Sequence, residues 1–123
     1  MPHVLLIDDS PLQLRVREAV LRDAGFQVSI ATTAEGALAV LRTRAVSGTI
    51  GAVITDHVMP DISGVELVRA VREIQPDIPV IVITGRPDVE SEYEGLDVTF
   101  RVKPVPPSDL IALVRDCTGE AAA

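Results

Sequence analysis

The fold class is decided by residues 51–68, which read GAVITDHVMPDISGVELV. The apolar, β-rich run 51–55 stops at Asp56, and Ser63 and Glu66 then have the spacing of a capping box that opens a helix. A short apolar strand followed by a capped helix is the repeating unit of a parallel sheet covered by helices. This stretch therefore predicts one strand-to-helix unit of an α/β domain.

The same unit recurs on both sides of this stretch. Strands are predicted at 4–7, 27–31, 51–55, 80–83 and 98–102, and helices at 11–24, 32–44, 63–75 and 108–117. Helix boundaries are marked by Ser10-Pro11, by Gly25, by a second capping box of Thr32 and Glu35, and by a break at Ser47-Gly48. Continuous Val and Ile runs indicate strands buried on both faces. We therefore expect one five-stranded parallel sheet with helices on both faces.

Length and composition restrict the class of protein. A chain of 123 residues supports one domain, which needs no disulfide or metal to fold. The single cysteine, Cys117, excludes a disulfide framework and is typical of a reducing cytoplasm. No apolar run reaches the length of a membrane span, and a net charge of -7 without a basic cluster disfavours nucleic acid binding. We expect a cytoplasmic protein, with no membrane association and no DNA binding by this chain.

Polar residues follow four of the predicted strands at the same edge of the sheet. Asp8 and Asp9 follow the first strand, Asp56 the third, Thr84 the fourth and Lys103 the fifth. Ligands of open α/β sheets bind beyond the carboxyl ends of the strands, so these side chains are expected to converge. Lys103 is the only lysine among 11 basic residues, which indicates that a compact ammonium is required there.

Three carboxylates at one edge need compensating charge. A pair about 5 Å apart repels by about 3 kcal/mol at an effective dielectric constant of about 20. The lysine offsets part of this repulsion, and Mg²⁺ would offset the rest, because that ion takes one or two carboxylates together with water and phosphate oxygens. Such a site suits phosphoryl transfer, with an aspartate as the nucleophile.

Four motifs together resemble the receiver domain of two-component response regulators, of the chemotaxis response regulator type. They are Asp8-Asp9-Ser10-Pro11, residues 55–64, Thr84-Gly85 and Lys103-Pro104, and they occur in family order. The resemblance covers residues 3–117 as a receiver domain and leaves 118–123 as a flexible C-terminal tail. It implies a doubly wound, flavodoxin-like sheet with strand order 2-1-3-4-5, and a cis Lys103-Pro104 bond.

The resemblance also implies the chemistry of the site. Asp56 matches the phosphoacceptor, which receives phosphate from a histidine kinase or phosphotransfer protein. Asp9 matches the direct Mg²⁺ ligand, Asp8 the carboxylate that acts mostly through metal-bound water, and the backbone carbonyl of Val58 the third protein ligand, with Asp56 completing the set. The apolar Val58 side chain cannot position a water, and this predicts a phosphoryl group of moderate or long life.

The switch residues follow from the same resemblance. Lys103 matches the residue that pairs with the phosphate, and Thr84 matches the hydroxyl that moves onto the phosphoryl group. Phe100 matches the aromatic residue that turns inward as the hydroxyl moves. The family is not a class of turnover enzymes, so the domain is expected to switch an interaction surface for a downstream protein.

Two backbone groups are expected to donate hydrogen bonds to the phosphate. They are the N–H groups at His57 and Gly85, and the glycine allows the backbone to come close. Strand alternation places the His57 side chain away from Asp56, so His57 is predicted to be a loop residue and not a catalytic base.

One interval departs from the family pattern. Thr84 to Lys103 is about one helical turn shorter than usual in the family. The family's fourth helix, which lies in this interval, is therefore expected to be short or irregular. Its segment carries the acidic residues Asp88, Glu90, Glu92, Glu94 and Asp97. We interpret them as a solvated acidic surface, with a patch for a basic partner as the alternative.

Two surface features are also predicted. Arg15, Arg17 and Arg22 on the first helix are interpreted either as kinase contacts or as a solvated helix face. Ser108 is expected to cap the last helix, because Pro106 has no side-chain oxygen.

Other functions are weighed against the receiver. A Mg²⁺-dependent phosphatase with an Asp nucleophile has two aspartates one residue apart after the first strand, whereas Asp8 and Asp9 are adjacent. A receiver-like interaction module that no longer uses phosphate is a further alternative, although the acids and the lysine are all present. The chain is expected to be a monomer or weak dimer. It is either a stand-alone regulator or a receiver excised from a hybrid kinase or multidomain regulator.

Overall fold

The computed structural model describes residues 2–45 and 50–119. Its strands are β1 (His3–Ile7), β2 (Gln27–Ala31), β3 (Ile50–Thr55), β4 (Val80–Thr84) and β5 (Thr99–Val102). Its α-helices are α1 (Pro11–Asp23), α2 (Ala34–Ala45), α3 (Gly64–Ile74) and α4 (Pro107–Thr118), and a 3₁₀ helix covers Pro87–Tyr93. The predicted break at Ser47-Gly48 and the tail residues 120–123 lie outside the described residues.

All five strands form one parallel sheet in the order β2-β1-β3-β4-β5. The predicted α/β class and the strand order 2-1-3-4-5 are therefore confirmed. β1 and β3 are adjacent although α1, β2 and α2 lie between them in sequence. Consequently the carboxyl ends of β1, β3, β4 and β5 lie side by side at one edge.

Alternate residues of the strands supply two separate cores. Leu5 pairs in register with Val53, and Leu6 with Ile54. Leu5 and Val53 pack in one core, with residues of α2 and α3 such as Ala37, Leu41, Leu67 and Val71. Leu6 and Ile54 pack in the other, with residues of α1 and α4 such as Leu14, Leu21, Leu110 and Val114. Helices therefore cover both faces, as the continuous apolar strands predicted.

Two of the predicted helix starts are confirmed in atomic detail. The Ser10 hydroxyl accepts a hydrogen bond from the Gln13 N–H at 3.4 Å, and Pro11 occupies the first helical position of α1. The Ser63 hydroxyl accepts from the Glu66 N–H at 3.3 Å at the start of α3. These caps satisfy N–H groups that have no partner inside the helix.

Two other predicted caps are wrong. At the start of α2 the Gly36 N–H donates to Thr33 Oγ1 at 3.0 Å, so Thr33 and not Thr32 acts as the cap. Ser108 lies inside α4, which begins at Pro107 after Pro106 with no side-chain cap. Two consecutive prolines fix φ near the helical value, and proline at the first helical position lacks the N–H that a cap would satisfy.

The start of α2 also receives a distant carboxylate. Asp61, in the loop after β3, accepts the N–H groups of Ala34 at 3.1 Å and Glu35 at 3.0 Å. An acidic group at a helix N-terminus also complements the helix dipole. These backbone hydrogen bonds lower the pKa of Asp61 below its ordinary value.

The segment between β4 and β5 is short and irregular, as predicted. It forms only the 3₁₀ helix, after which Asp97 adopts a positive φ of 56°. The Arg72 guanidinium of α3 secures this region by donating to the carbonyls of Leu96 at 2.9 Å and Asp97 at 2.8 Å. It also donates to two carbonyls before β4, those of Pro76 and Ile78.

The last helix extends one residue beyond its predicted end. Thr118, assigned to the tail from the sequence, is still helical, and Gly119 ends α4 with a φ of 79°. The Lys103-Pro104 bond is cis, as the resemblance implied. No helix in the described part of the chain is long and apolar enough to cross a membrane.

Candidate functional site

Asp56 is buried at the end of β3, and both of its carboxylate oxygens are engaged. Lys103 Nζ lies 2.7 Å from Oδ2 in an ion pair. The His57 N–H donates to Oδ1 at 2.7 Å, and the Val58 N–H lies 3.5 Å from the same oxygen. The loop that leaves β3 turns its first N–H groups back onto the carboxylate. The result is an oriented anion with its counter-charge already in place.

Asp8 lies at the neighbouring strand end and is almost completely buried, with 1% of its surface exposed. The Ser10 N–H donates to Asp8 Oδ1 at 2.9 Å, and Arg17 Nη1 donates to Oδ2 at 3.2 Å. Burial raises the pKa of Asp8; the Ser10 N–H and Arg17 oppose the rise, and the Asp56 charge adds to it. The predicted convergence of Asp8, Asp56 and Lys103 is therefore present in the structure.

Asp9 differs from its neighbour because its side chain is exposed. An exposed carboxylate beside the buried pair is accessible to a hydrated cation. Its predicted role as the direct metal ligand stays a prediction.

Sequence reasoning missed two residues of this edge, Arg17 and Gln13. Arg17 was expected to be a kinase contact or part of a solvated face, but only 13% of its side chain is exposed and it is paired with Asp8. Gln13, one turn earlier on α1, accepts a hydrogen bond from Lys103 Nζ at 3.0 Å. The sequence shows that Gln13 and Arg17 are four residues apart and so share a helix face, but it does not show that this face meets the edge of the sheet.

Thr84 ends β4 beside Lys103, and Gly85 follows it. The Thr84 hydroxyl is buried and accepts a hydrogen bond from the Arg86 N–H at 3.3 Å. The Thr84 carbonyl accepts from the Lys103 N–H at 2.8 Å, which ties β4 to the end of β5. Gly85 is exposed, and a Cβ there would meet no protein atom within 4 Å. Protein packing therefore does not require glycine at this position.

His57 lies in the loop after β3, as predicted, but its side chain is buried and hydrogen-bonded, which was not predicted. Its Nδ1 and the Tyr93 hydroxyl share a hydrogen bond of 2.7 Å, and the two rings meet edge to face. Burial raises the pKa of Tyr93, and the charges of Glu92 and Asp56 add to the rise. Tyr93 also packs against Phe100, with ring centroids 5.9 Å apart. The residue after Asp56 thus connects through Tyr93 to Phe100.

The donor set has the chemistry of a hard-cation site with few protein ligands. Asp8 and Asp56 supply carboxylate oxygens, and Mg²⁺ prefers oxygen ligands and keeps several waters. In the described residues no group of three or more His, Cys, Asp or Glu side chains is arranged to hold a metal ion. A closed metal cage is therefore absent from that part of the chain, and the set suits an ion that retains water.

The chain belongs to the response regulator receiver domain family, whose sequence model it matches over residues 4–115. The strand order and the buried acids Asp8 and Asp56 at the strand ends agree with this family. Receiver domains are signalling domains of two-component systems. Magnesium and phosphoaspartate are typical of the family.

Three relatives illustrate what the chain is similar to. It is 37% identical over 117 residues to the transcriptional regulatory protein PrrA of Mycobacterium tuberculosis, covering 93% of this chain and 48% of PrrA. The structure of chemotaxis response regulator CheY4 of Vibrio cholerae matches with a TM-score of 0.82 and 30% identity, covering 95% of this chain and 98% of CheY4. The receiver domain of the hybrid histidine kinase CckA matches with a TM-score of 0.80 and 31% identity, covering 94% and 98% of the two chains. The chain thus spans about half the length of PrrA.

Proposed function

We propose that Asp56 accepts a phosphoryl group from the phosphohistidine of a histidine kinase or phosphotransfer protein in a Mg²⁺-dependent reaction. The observation that carries this proposal is the buried Asp56 carboxylate, held by two N–H groups and the Lys103 ammonium. A carboxylate oxygen attacks phosphorus, the P–N bond breaks, and the imidazole nitrogen keeps the electron pair and takes a proton from solvent. An acyl phosphate then stands on Asp56.

The surrounding groups have separate parts in this transfer. Lys103 already contacts the carboxylate, so its ammonium is in place to neutralise the negative charge of the transferring phosphoryl group. The N–H groups of His57 and Gly85 are the proposed backbone donors to the phosphoryl oxygens. Asp8, Asp9, Asp56 and the Val58 carbonyl would hold Mg²⁺, which supplies charge neutralisation when bound.

The proposed switch lies between β4 and β5. The Thr84 hydroxyl accepts a hydrogen bond from the Arg86 N–H at 3.3 Å, and its own O–H can donate to a phosphoryl oxygen. Phe100 is half-buried against Tyr93, so a shift at Thr84 has room to change the packing of its ring. The equilibrium between the two states shifts by the differential stability that the phosphoryl group gives them.

An exposed apolar strip lies beside the phosphoacceptor. Leu12 is 73% exposed and Val16 is 54% exposed, and both line a groove that also includes Lys103 and Pro104. Exposed apolar residues that are contiguous and rimmed by polar groups mark interaction surfaces. We assign this strip to the kinase or phosphotransfer protein, because its groove includes Lys103, which pairs with Asp56.

The phosphoryl group on Asp56 is expected to live for minutes or longer. The Val58 side chain is apolar and exposed, and the Arg86 guanidinium is paired with Asp88 at 2.9 Å, so neither side chain positions a water. The decay is measured by phosphate release after removal of the phosphodonor. A lifetime of only seconds contradicts this expectation.

We propose that the domain acts in the cytoplasm as a switch rather than a turnover enzyme, as a monomer or weak dimer that acts on a downstream protein. It works either as a stand-alone regulator or within a longer regulator or hybrid kinase, and the chemistry proposed at Asp56 is the same in both cases.

The proposal is tested by intact-mass analysis after incubation with acetyl phosphate and Mg²⁺. One phosphate is expected on the wild-type chain, and none without Mg²⁺ or in the Asp56→Asn variant. Phosphate on the variant would place the acceptor elsewhere. If the wild type stays unmodified, beryllofluoride titration separates a receiver that needs its kinase from a module that no longer uses phosphate.

A further inference from the structure

Arg17 is directed differently from the other arginines of its helix. All of α1 lies within the described residues, and of its three arginines Arg17 alone reaches a carboxylate at the carboxyl edge of the sheet. Arg15 is exposed, and Arg22 pairs with Glu18 on the helix surface at 3.0 Å. The position of Arg17 therefore reflects a specific interaction with the site and not the general character of α1.

Each of the two buried carboxylates already has its own cation. Lys103 pairs with Asp56 at 2.7 Å, and Arg17 pairs with Asp8 at 3.2 Å. The negative charge that would attract a divalent cation is thus partly neutralised by the chain itself. A second cation at the same carboxylate meets the repulsion of the guanidinium, which is weakly screened because Asp8 is buried.

Arg17 is not needed to orient Asp8. The Ser10 N–H holds Oδ1 at 2.9 Å, and Arg17 contacts the other oxygen, Oδ2. Removing the guanidinium leaves the backbone hydrogen bond to Oδ1 in place and leaves Oδ2 without its cation. The carboxylate then offers more negative charge to a hydrated metal ion.

We propose that Arg17 and Mg²⁺ compete for the carboxylate of Asp8, so that Arg17 sets the Mg²⁺ concentration at which the phosphoacceptor site fills. This inference rests on the proposed function, because it takes Mg²⁺ as the ion of the site. It makes Arg17 a residue that determines metal affinity, although it is not itself a ligand.

The test is isothermal titration calorimetry with magnesium chloride, on the wild type and on the Arg17→Gln and Arg15→Gln variants. The two variants lose the same charge from the same helix, so Arg15→Gln reports the general electrostatic effect. Arg17→Gln is expected to bind Mg²⁺ at least about threefold more tightly than the wild type, as the loss of a repelling charge at a partly buried site requires. Arg15→Gln is expected to stay within about twofold.

The outcomes separate the inference from the proposed function. Mg²⁺ binding to the wild type with unchanged or weaker binding to Arg17→Gln overturns the competition and leaves the Mg²⁺ site standing. An equal gain in Arg15→Gln also overturns it. If no variant and no wild-type sample binds Mg²⁺, the proposed metal site fails together with the inference.

A second measurement uses only the wild-type chain, in case Arg17→Gln does not fold. The Nε–H resonance of Arg17 is followed by NMR while magnesium chloride is added. It is expected to shift in parallel with the backbone amides of Asp8 and Asp9. An Arg17 signal that stays fixed while those amides saturate overturns the competition.

Discussion

At the scale of single residues, the chain places buried polar groups in pairs with defined geometry. Asp56 pairs with Lys103, Asp8 with Arg17, and His57 with Tyr93. The first pair could be predicted from the sequence, because Asp56 and Lys103 each follow a strand and strand ends meet at one edge. The third has no local signal, because His57 and Tyr93 are 36 residues apart and meet only when the 3₁₀ helix packs against the loop after β3.

The His57–Tyr93 hydrogen bond gives a prediction about stability. Tyr93→Phe keeps the ring that packs on Phe100 but leaves the buried Nδ1 of His57 without its partner. An unsatisfied buried polar group costs about 1–3 kcal/mol, so the free energy of unfolding in urea is expected to fall by about that amount. The double-mutant cycle with His57→Phe isolates the pair. A loss below about 0.5 kcal/mol in Tyr93→Phe would show that water replaces the hydroxyl.

At the scale of elements, long-range side chains fix the ends of helices and loops that local patterns do not define. Sequence reasoning placed the cap of α2 at Thr32, but Thr33 and the distant Asp61 hold that end. It correctly expected a short, irregular segment between β4 and β5, because the interval between Thr84 and Lys103 is visible in the sequence. It could not identify Arg72 as the residue that secures this segment, since its acceptors are brought together only by the fold.

Arg72 is expected to be a main contributor to the stability of the segment after the 3₁₀ helix. Arg72→Met keeps most of the apolar stem and removes donors to four carbonyls. Hydrogen bonds to charged groups contribute about 1.5–3 kcal/mol, so a loss of roughly 2 kcal/mol is expected in urea unfolding. Arg69→Met, at an exposed position of the same helix, is the control and should change stability by less than about 0.5 kcal/mol. Equal effects in the two variants would contradict the assignment.

The Asp61 carboxylate makes the stability of the first turn of α2 depend on pH. Folding lowers the pKa of Asp61 below its ordinary value of 3.8. The ionised carboxylate therefore stabilises the fold fully above pH 3.8, and this stabilisation is lost as the pH falls through the lowered pKa. The wild type should therefore be more stable than Asp61→Asn at pH 7, with a difference that shrinks below about pH 3.8. Urea unfolding of both chains across this range measures it, and a difference independent of pH would mean that the charge contributes nothing.

At the scale of the whole molecule, the parallel sheet brings the site together from residues far apart in sequence. Because β1 lies between β2 and β3, and β4 and β5 follow on one side, four strand ends meet at one edge. Sequence reasoning predicted this convergence from strand order and strand-end residues. It missed Arg17 and Gln13 because their direction depends on how α1 packs against the sheet, which periodicity alone does not define.

Metal binding should appear in the stability of the whole fold. Free Mg²⁺ at ten times its dissociation constant is expected to stabilise the native state by about 1.4 kcal/mol, seen as a rise in Tm. Asp9→Asn should abolish most of this rise, whereas Asp23→Asn, at the exposed far end of α1, should keep it. A full rise in Asp9→Asn would remove Asp9 from the set of ligands.

The Asp61 bridge has a consequence for protein engineering. The loop that carries Val58 is anchored through Asp61 to the first N–H groups of α2, a helix that precedes it in the chain. A graft of this loop into another receiver would therefore keep its anchor only where the recipient's second helix presents its first N–H groups at the same place. A graft that brings the anchor with it is discontinuous: residues 56–63 together with residues 33–36.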